Sequence, residues 1–121
     1  MAGKIIADTI ETGAGADIST SYVVNGSAKA WGTVNQVGTQ AVLNSLNISS
    51  IADGGTGDTT YTFSTSFDAN DYSSTCSAQN KNNFAGVDST RSSSAAKIFT
   101  YDYSGSAEDR VQYMMCVGDL A

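Results

Sequence analysis

Histidine and proline are both absent from this chain of 121 residues. Without histidine the chain cannot form a Ser-His-Asp or Cys-His nucleophile system, and no imidazole can bind a metal ion. The sequence also lacks the Gly-Lys-Ser/Thr phosphate loop and the Gly-x-Gly-x-x-Gly dinucleotide fingerprint. These absences remove the commonest catalytic and cofactor-binding arrangements, so we expect a protein that is not an enzyme and holds no cofactor.

Charged residues are scarce as well, at 15% of the chain against a usual share of about a quarter. Six Lys and Arg stand against twelve Asp and Glu, which leaves a net charge of −6. The six cations are scattered and form no basic stripe, so we expect no nucleic-acid partner. No stretch has the apolar length of a membrane span or the pattern of a signal peptide, which predicts no membrane insertion.

Cysteine occurs only twice, as Cys76 and Cys116. In a chain without an export signal, two cysteines favour reduced and mostly buried thiols. A disulfide between them is the alternative, because strands that are distant in sequence can lie side by side. Two thiols alone cannot complete a structural zinc site, so we expect no metal centre.

Polarity comes instead from Ser, Thr, Asn and Gly, which together supply 50 of the 121 positions. Thr favours strands, whereas Ser, Asn and Gly weaken helices. About eight short runs separated by turn residues predict an all-β antiparallel β-sandwich over residues 21–121, with a partly closed barrel as the alternative. Residues 1–20 contain a candidate strand at Lys4–Ala7 and then a Gly-rich break, which predicts a connector or docking segment.

The alternation of apolar residues places the strands. It predicts strands at 21–25, 28–36, 41–43, 46–51, 61–67, 71–78, 98–104 and 110–117. Three glycines within 53–58 predict a tight turn. Trp31 is predicted to be a buried anchor of the second strand. The last strand is apolar on both faces, so we place it centrally in a sheet or against another subunit.

Residues 79–96 are polar, Ser-rich and without an apolar period, which predicts a long exposed loop. Binding residues concentrate on such loops when a rigid scaffold carries them. Candidate receptor-binding residues are therefore Asn82, Asn83, Phe84 and Arg91, since the polar three can donate hydrogen bonds and Phe84 can stack on a sugar ring. Lys81 adds a positive charge. The alternative is a loop that is merely solvated or that packs within an assembly.

Two pairs of carboxylates are the remaining enzymatic option, because a glycosidase needs only two acids at a suitable distance. The pairs are Asp68 with Asp71 and Glu108 with Asp109. Turn formation explains the first pair and an exposed strand entry explains the second. The Asp68–Asp71 run also suggests calcium, but Tyr72 stands where a third ligand is needed.

Several motifs between Tyr22 and about Ala78 resemble a module near the C-terminus of tail-fibre and related structural proteins of marine bacteriophages. The motifs are Tyr-Val-Val-Asn-Gly-Ser-Ala-Lys-Ala-Trp at 22–31, Gly-Thr at 38–39, Leu-Asn-Ile-Ser-Ser-Ile at 46–51, Asp-Gly-Gly-Thr-Gly-Asp at 53–58 and Tyr-Thr-Phe at 61–63. Residues 32–36 depart from the aromatic-rich strand usual after the Trp, and residues 79–117 match only loosely. The resemblance implies a β-rich homotrimeric domain of the virion, assembled in the host cytoplasm, that contacts a host-surface glycan or protein and other virion proteins.

Three functions follow as hypotheses. The first is a tail-fibre or tail-appendage domain that contacts the host surface. The second is a capsid decoration or another purely structural virion subunit. The third is an enzyme that degrades surface polysaccharide, which depends on the two acid pairs.

Overall fold

A computed structural model describes residues 3, 6–11, 13–80 and 82–121 of the chain. Two predictions concern residues outside this set. The strand predicted at Lys4–Ala7 includes Lys4 and Ile5, and the positive charge expected in the 79–96 region belongs to Lys81.

Within the described residues, ten strands and one short helix follow one another along the chain. They are β1 Thr9–Glu11, β2 Asp17–Ser19, α1 Thr20–Gly26, β3 Ala28–Asn35, β4 Ala41–Leu46, β5 Ile48–Gly55, β6 Asp58–Phe63, β7 Ser73–Ala78, β8 Asn83–Val87, β9 Ala95–Asp102 and β10 Val111–Val117.

Eight of these strands form the predicted antiparallel sandwich. One sheet has the order β4-β3-β10-β7 and the other has the order β5-β6-β9-β8, whereas β1 and β2 pair separately as a hairpin. The core lies between the two sheets and takes side chains from both: Ala30, Val34, Tyr61, Phe63, Phe67, Tyr72, Ala96, Ile98, Met114 and Cys116. The prediction of an all-β sandwich is confirmed.

The two ends of this core differ in chemistry. At one end the rings of Phe67 and Tyr72 stack with centroids 4.3 Å apart, and Phe63 meets both edge-on. At the other end the buried Thr59 hydroxyl accepts from Gln36 Nε2 at 3.1 Å and from Gln112 Nε2 at 2.9 Å. These hydrogen bonds from glutamine side chains join the two sheets, because Gln112 belongs to β10 and Thr59 to β6.

Strand β10 is central, as predicted, and lies between β3 and β7. Its inward residues Gln112, Met114 and Cys116 are buried, whereas Tyr113 and Met115 project outward and are exposed. The strand is therefore covered by the core on one face only. Its outer face is apolar and open in the single chain.

The prediction that Trp31 is a buried anchor is wrong. In β3 the buried positions are Ala30, Gly32 and Val34, so the strand alternation turns Trp31 outward, where it is only half-buried. A side chain at Gly32 would lie 2.9 Å from the Tyr61 ring. The core at this point is thus built by the Tyr61 ring against a glycine, not by the indole.

The strand predicted at 21–25 is a helix instead. The Ser19 side chain caps α1 by accepting from the Ser21 backbone N–H at 3.3 Å. The backbone N–H and the hydroxyl of Thr20 both donate hydrogen bonds to the Asp8 carbonyl oxygen, at 2.9 and 3.0 Å. This local hydrogen bonding favours the helix over the strand that Val23 and Val24 would prefer.

Two turns are fixed by backbone geometry. Gly57 lies in the predicted turn between β5 and β6 with a φ of +70°, and a side chain there would collide with the Thr100 carbonyl oxygen. The predicted break at Asn44-Ser45 is wrong, because β4 continues to Leu46. The break falls at Asn47, which has a φ of 58° and exchanges side-chain hydrogen bonds with the Thr65 backbone at 2.9 and 2.7 Å.

Residues 79–96 do not form one long loop, contrary to the prediction. They contain β8, which pairs with β9 as an edge strand, and they end in the first residues of β9. The inward side chains of β8, Ala85 and Val87, pack against the core. Such a short edge strand has too few apolar residues to show a period, so pairing to β9 decides its structure.

A candidate ligand-binding surface on strands β8 and β9

The outer face of β9 carries a row of large side chains. Ala96, Ile98 and Thr100 point into the core and are fully buried. The alternate residues Lys97, Phe99 and Tyr101 therefore project outward, and Tyr103 follows just beyond the end of the strand. The strand predicted at 98–104 has this alternation, because Phe99, Tyr101 and Tyr103 occupy every second position.

Neighbouring side chains hold this row in place. The rings of Phe99 and Tyr101 stack with centroids 6.1 Å apart and planes inclined by 30°. Lys97 Nζ lies 4.8 Å from the Phe99 ring centre and 2.8 Å from an Asp58 carboxylate oxygen. The bond to Asp58 raises the pKa of Lys97, so the amine is charged at neutral pH.

Strand β8 extends the aromatic surface sideways. Phe84 lies directly opposite Tyr101, and its side chain is 62% exposed. Gly86 lies opposite Phe99, and a side chain at Gly86 would meet open space. The β8 neighbour of Phe99 thus contributes no side chain of its own, which leaves the surface beside that ring open.

A shallow depression of about 370 Å³ lies at the end of this row, lined by Phe84, Tyr101, Asp102, Tyr103 and Gly105. Tyr103 is 78% exposed. Phe84 of β8, Tyr101 of β9 and Tyr103, which follows β9, thus line one depression together with Asp102. A chain normally hides large aromatic surface, so this open group is the most distinctive site in the described residues.

Asp102 organises the turn that forms the rim of the depression. Its Oδ1 accepts from the Ser104 backbone N–H at 2.8 Å, the Ser104 hydroxyl at 2.7 Å and the Ser106 backbone N–H at 2.9 Å. These bonds lower the pKa of Asp102, so it is ionised at neutral pH. The hydrogen bonds from Ser104 and Ser106 all go to Oδ1.

The predicted receptor-binding residues do not form one cluster. Phe84 belongs to the depression, and Asn82 is exposed just before β8. Arg91 lies beyond the other end of β8, where its guanidinium packs 5.2 Å from the Tyr72 ring centre. Phe84 and Val87 lie roughly 10 Å apart along β8. Arg91 lines a different depression, beyond Val87, so Arg91 and Phe84 do not form one site for a small ligand.

Asn83, predicted as a receptor-binding residue, has a structural role in this fold. Its Nδ2 donates to Glu108 Oε2 at 2.7 Å and to the Tyr101 carbonyl at 3.3 Å. Both donor hydrogens of the amide are therefore used inside the protein.

Sequence reasoning missed Tyr101, Asp102 and Tyr103 as members of the site, although the aromatic alternation of β9 was visible.

Of the two acid pairs, the carboxylates of Glu108 and Asp109 take part in local structure. Glu108 forms an ion pair with Arg110, and Asp109 Oδ1 accepts from the Gly57 backbone N–H at 2.7 Å. Asp68 and Asp71 line a different depression, of about 310 Å³, together with Asp119. Among the residues the structure describes, no group of three or more His, Cys, Asp or Glu could hold a metal ion.

The cysteines are free thiols on neighbouring strands. Cys76 of β7 pairs opposite Met114, whereas Cys116 of β10 pairs opposite Ser74, so the two lie on a diagonal. Cys116 is buried, and burial raises its pKa to about 12. Cys76 is half-buried, and burial raises its pKa as well. The reduced state of both thiols is as predicted, whereas Cys76 is only partly buried.

The described part of the chain contains no helix with the length and apolar character needed to cross a membrane. Comparison of the sequence with protein-family models and with curated proteins, and of the structure with solved structures, gives no match.

Proposed function

We propose that this protein is a non-enzymatic interaction module of a bacteriophage tail fibre or related virion appendage that binds carbohydrate on the host surface. The proposed binding site is the aromatic surface formed by Phe84, Tyr101 and Tyr103. The observation that carries the proposal is the depression beside Asp102, where the rings of Phe84 and Tyr103 are exposed and that of Tyr101 is half-buried.

Carbohydrate fits this surface better than an apolar ligand does. Sugar rings present C–H faces that pack on aromatic rings, and their hydroxyls need hydrogen-bond partners around the rim. Here Asp102 supplies an acceptor, and Ser104 and Ser106 are exposed beside it. The net charge of −6 and the ionised Asp102 favour a neutral sugar over an anionic one.

The virion assignment depends on the resemblance of residues 22–78 to the tail-fibre module. That resemblance also supports a homotrimer, and repeated copies of one weak site would give useful attachment through avidity. Closed symmetry is the usual result when identical subunits associate. The absence of histidine and the structural use of Glu108 and Asp109 favour binding over hydrolysis.

A glycan array probed with the full chain tests the ligand class. We expect binding to neutral glycans, and we expect the double variant Phe84→Ser, Tyr103→Ser to lose at least 90% of the signal, because stacking area is removed. Val37→Ser is the matched control, since it also removes an exposed apolar side chain, from the loop between β3 and β4. Equal binding by the double variant and the control would contradict the proposed site.

A purely structural virion subunit is the second candidate. It is favoured by the exposed apolar side chains of β1, β2 and α1, which suit docking to other virion proteins. Gold-labelled antibody against the protein on intact particles distinguishes the two candidates. Label on the tail supports the attachment function, and label on the head supports a capsid decoration.

A further inference from the structure

The segment that precedes the sandwich has secondary structure but no core. Within residues 6–11 and 13–27 no residue is buried, although the segment contains a β-hairpin and a helix. A two-stranded hairpin is at best marginally stable alone, and a seven-residue helix is too short to be stable in water. This segment, residues 6–27, is called the arm below.

The arm also exposes apolar side chains together. Ile10 and Ile18 lie directly opposite each other in the hairpin, so both side chains project from the same face. In α1 the side chains of Tyr22, Val23 and Val24 are all exposed, and that of Tyr22 is 75% exposed. An arrangement of this kind calls for a partner surface that the arm's own chain does not supply.

A second open apolar surface lies on the outer face of the sheet β4-β3-β10-β7. The strand register aligns Leu46, Trp31 and Met115 in one row across three strands, and Tyr113 lies in the next row. Leu46, Met115 and Tyr113 are exposed, and Trp31 is half-buried. This surface is called the apolar face below.

The charges of the two surfaces are complementary. The arm carries Asp8, Glu11 and Asp17 and no cation. The outward positions of β3, β4, β7 and β10 carry no carboxylate, and their one charged side chain is Lys29. In a protein with twelve acidic residues, a whole sheet face without one is suited to receive an acidic segment.

We propose that the arm of one copy packs on the apolar face of a second copy of this chain. Each copy then provides one surface and needs the other, so the contact is heterologous and a closed ring satisfies every copy. The arm continues directly into β3, which places it at the border of the apolar face and within reach of a neighbour. This inference holds whether or not the β8–β9 surface binds a glycan.

Light scattering on the full chain gives the first test. We expect the wild-type protein to be an assembly, with a mass at least twice the 12.5 kDa mass of one chain. Val24→Asp in the arm and Met115→Lys in the apolar face should each reduce the mass to that of one chain, while both variants keep wild-type circular dichroism. Ala52→Lys is the control for Met115→Lys, because it adds the same charge at an exposed position of β5 in the other sheet.

Photo-crosslinking identifies the surfaces directly. A p-benzoylphenylalanine at position 22 is irradiated in a mixture of isotope-labelled and unlabelled copies. We expect cross-links between differently labelled chains that join position 22 to peptides of β3 or β10. Cross-links confined to one chain, cross-links to other strands, or a wild-type mass of one chain at tens of micromolar would each overturn the proposal.

Discussion

The two outer faces of the sandwich both carry large apolar and aromatic side chains, but carboxylates accompany them on only one. Beside the rings of β8 and β9 lie the Asp58–Lys97 ion pair and the carboxylate of Asp102. Beside Trp31 and Met115 there is no carboxylate, and Lys29 is the one charge on that face. The same strand alternation thus produces a surface suited to a hydroxylated ligand and a surface suited to another protein.

One core supports both faces, so truncation of a core side chain should have the largest effect. Phe67 is buried and stacked on Tyr72, so we expect Phe67→Ala to lower the free energy of unfolding by about 3–5 kcal/mol. Trp31→Ala removes a larger side chain from the outer face and should cost only about 1–2 kcal/mol. Urea unfolding measures both. A greater loss for Trp31→Ala would mean that the indole is part of the core.

The second prediction tests whether Asn83 supports the ligand surface or contacts the ligand itself. Asn83→Ala removes the donor to Glu108 and to the Tyr101 carbonyl, so we expect a loss of about 1 kcal/mol in stability, discounted because Glu108 is partly exposed. Glycan binding should fall less than twofold, since the amide is already used inside the protein. Loss of binding without loss of stability would instead assign Asn83 to the ligand.

Much of the sandwich could be predicted from the sequence, because it depends on short-range alternation. The runs at 28–36 and 110–117 became β3 and β10 with nearly the same bounds, whereas β6 begins three residues earlier than the run at 61–67 and ends at Phe63. Trp31 was misplaced because alternation gives two faces and does not say which is inside. The inner face is fixed by distant packing: the Tyr61 ring, 29 positions after Gly32, occupies the space that a side chain at Gly32 would need.

The ligand surface was only partly predictable for a related reason. Phe84 was predicted as a contact residue, but its partners Tyr101 and Tyr103 come from another strand and meet it only through the β8–β9 register. Arg91 was grouped with Phe84 because both belonged to one predicted loop. Strand β8 separates them, and an edge strand of five residues has too weak a pattern to be recognised in sequence.

Cysteine reactivity gives a third prediction, on the strands beneath the apolar face. Burial raises the pKa of Cys116 to about 12 and raises that of Cys76, so both are neutral thiols at pH 7. We expect both to react with a disulfide reagent at least tenfold more slowly in the folded protein than in urea, with Cys116 the slower. Reaction of Cys116 at the unfolded rate would contradict the packing of β10 against the core.

The smallest expected effect concerns pH and the rim of the depression. The hydrogen bonds from Ser104 and Ser106 lower the pKa of Asp102 below its value in the unfolded chain. Their stabilisation is therefore present above about pH 4 and is lost as the pH falls through the lower folded value. Asp102→Asn should show a smaller decrease in melting temperature between pH 7 and pH 3 than the wild type. An unchanged decrease would mean that these bonds do not stabilise the turn.

The most direct test of the separation between the two faces is calorimetric titration of one neutral glycan selected on the array, with mass measured in parallel. We predict that Tyr103→Ser weakens the affinity per site at least tenfold and keeps the mass of the wild type. Met115→Lys should keep the affinity per site within twofold and reduce the mass to one chain. If either variant changes both properties, the two faces do not have separate functions and the account is contradicted.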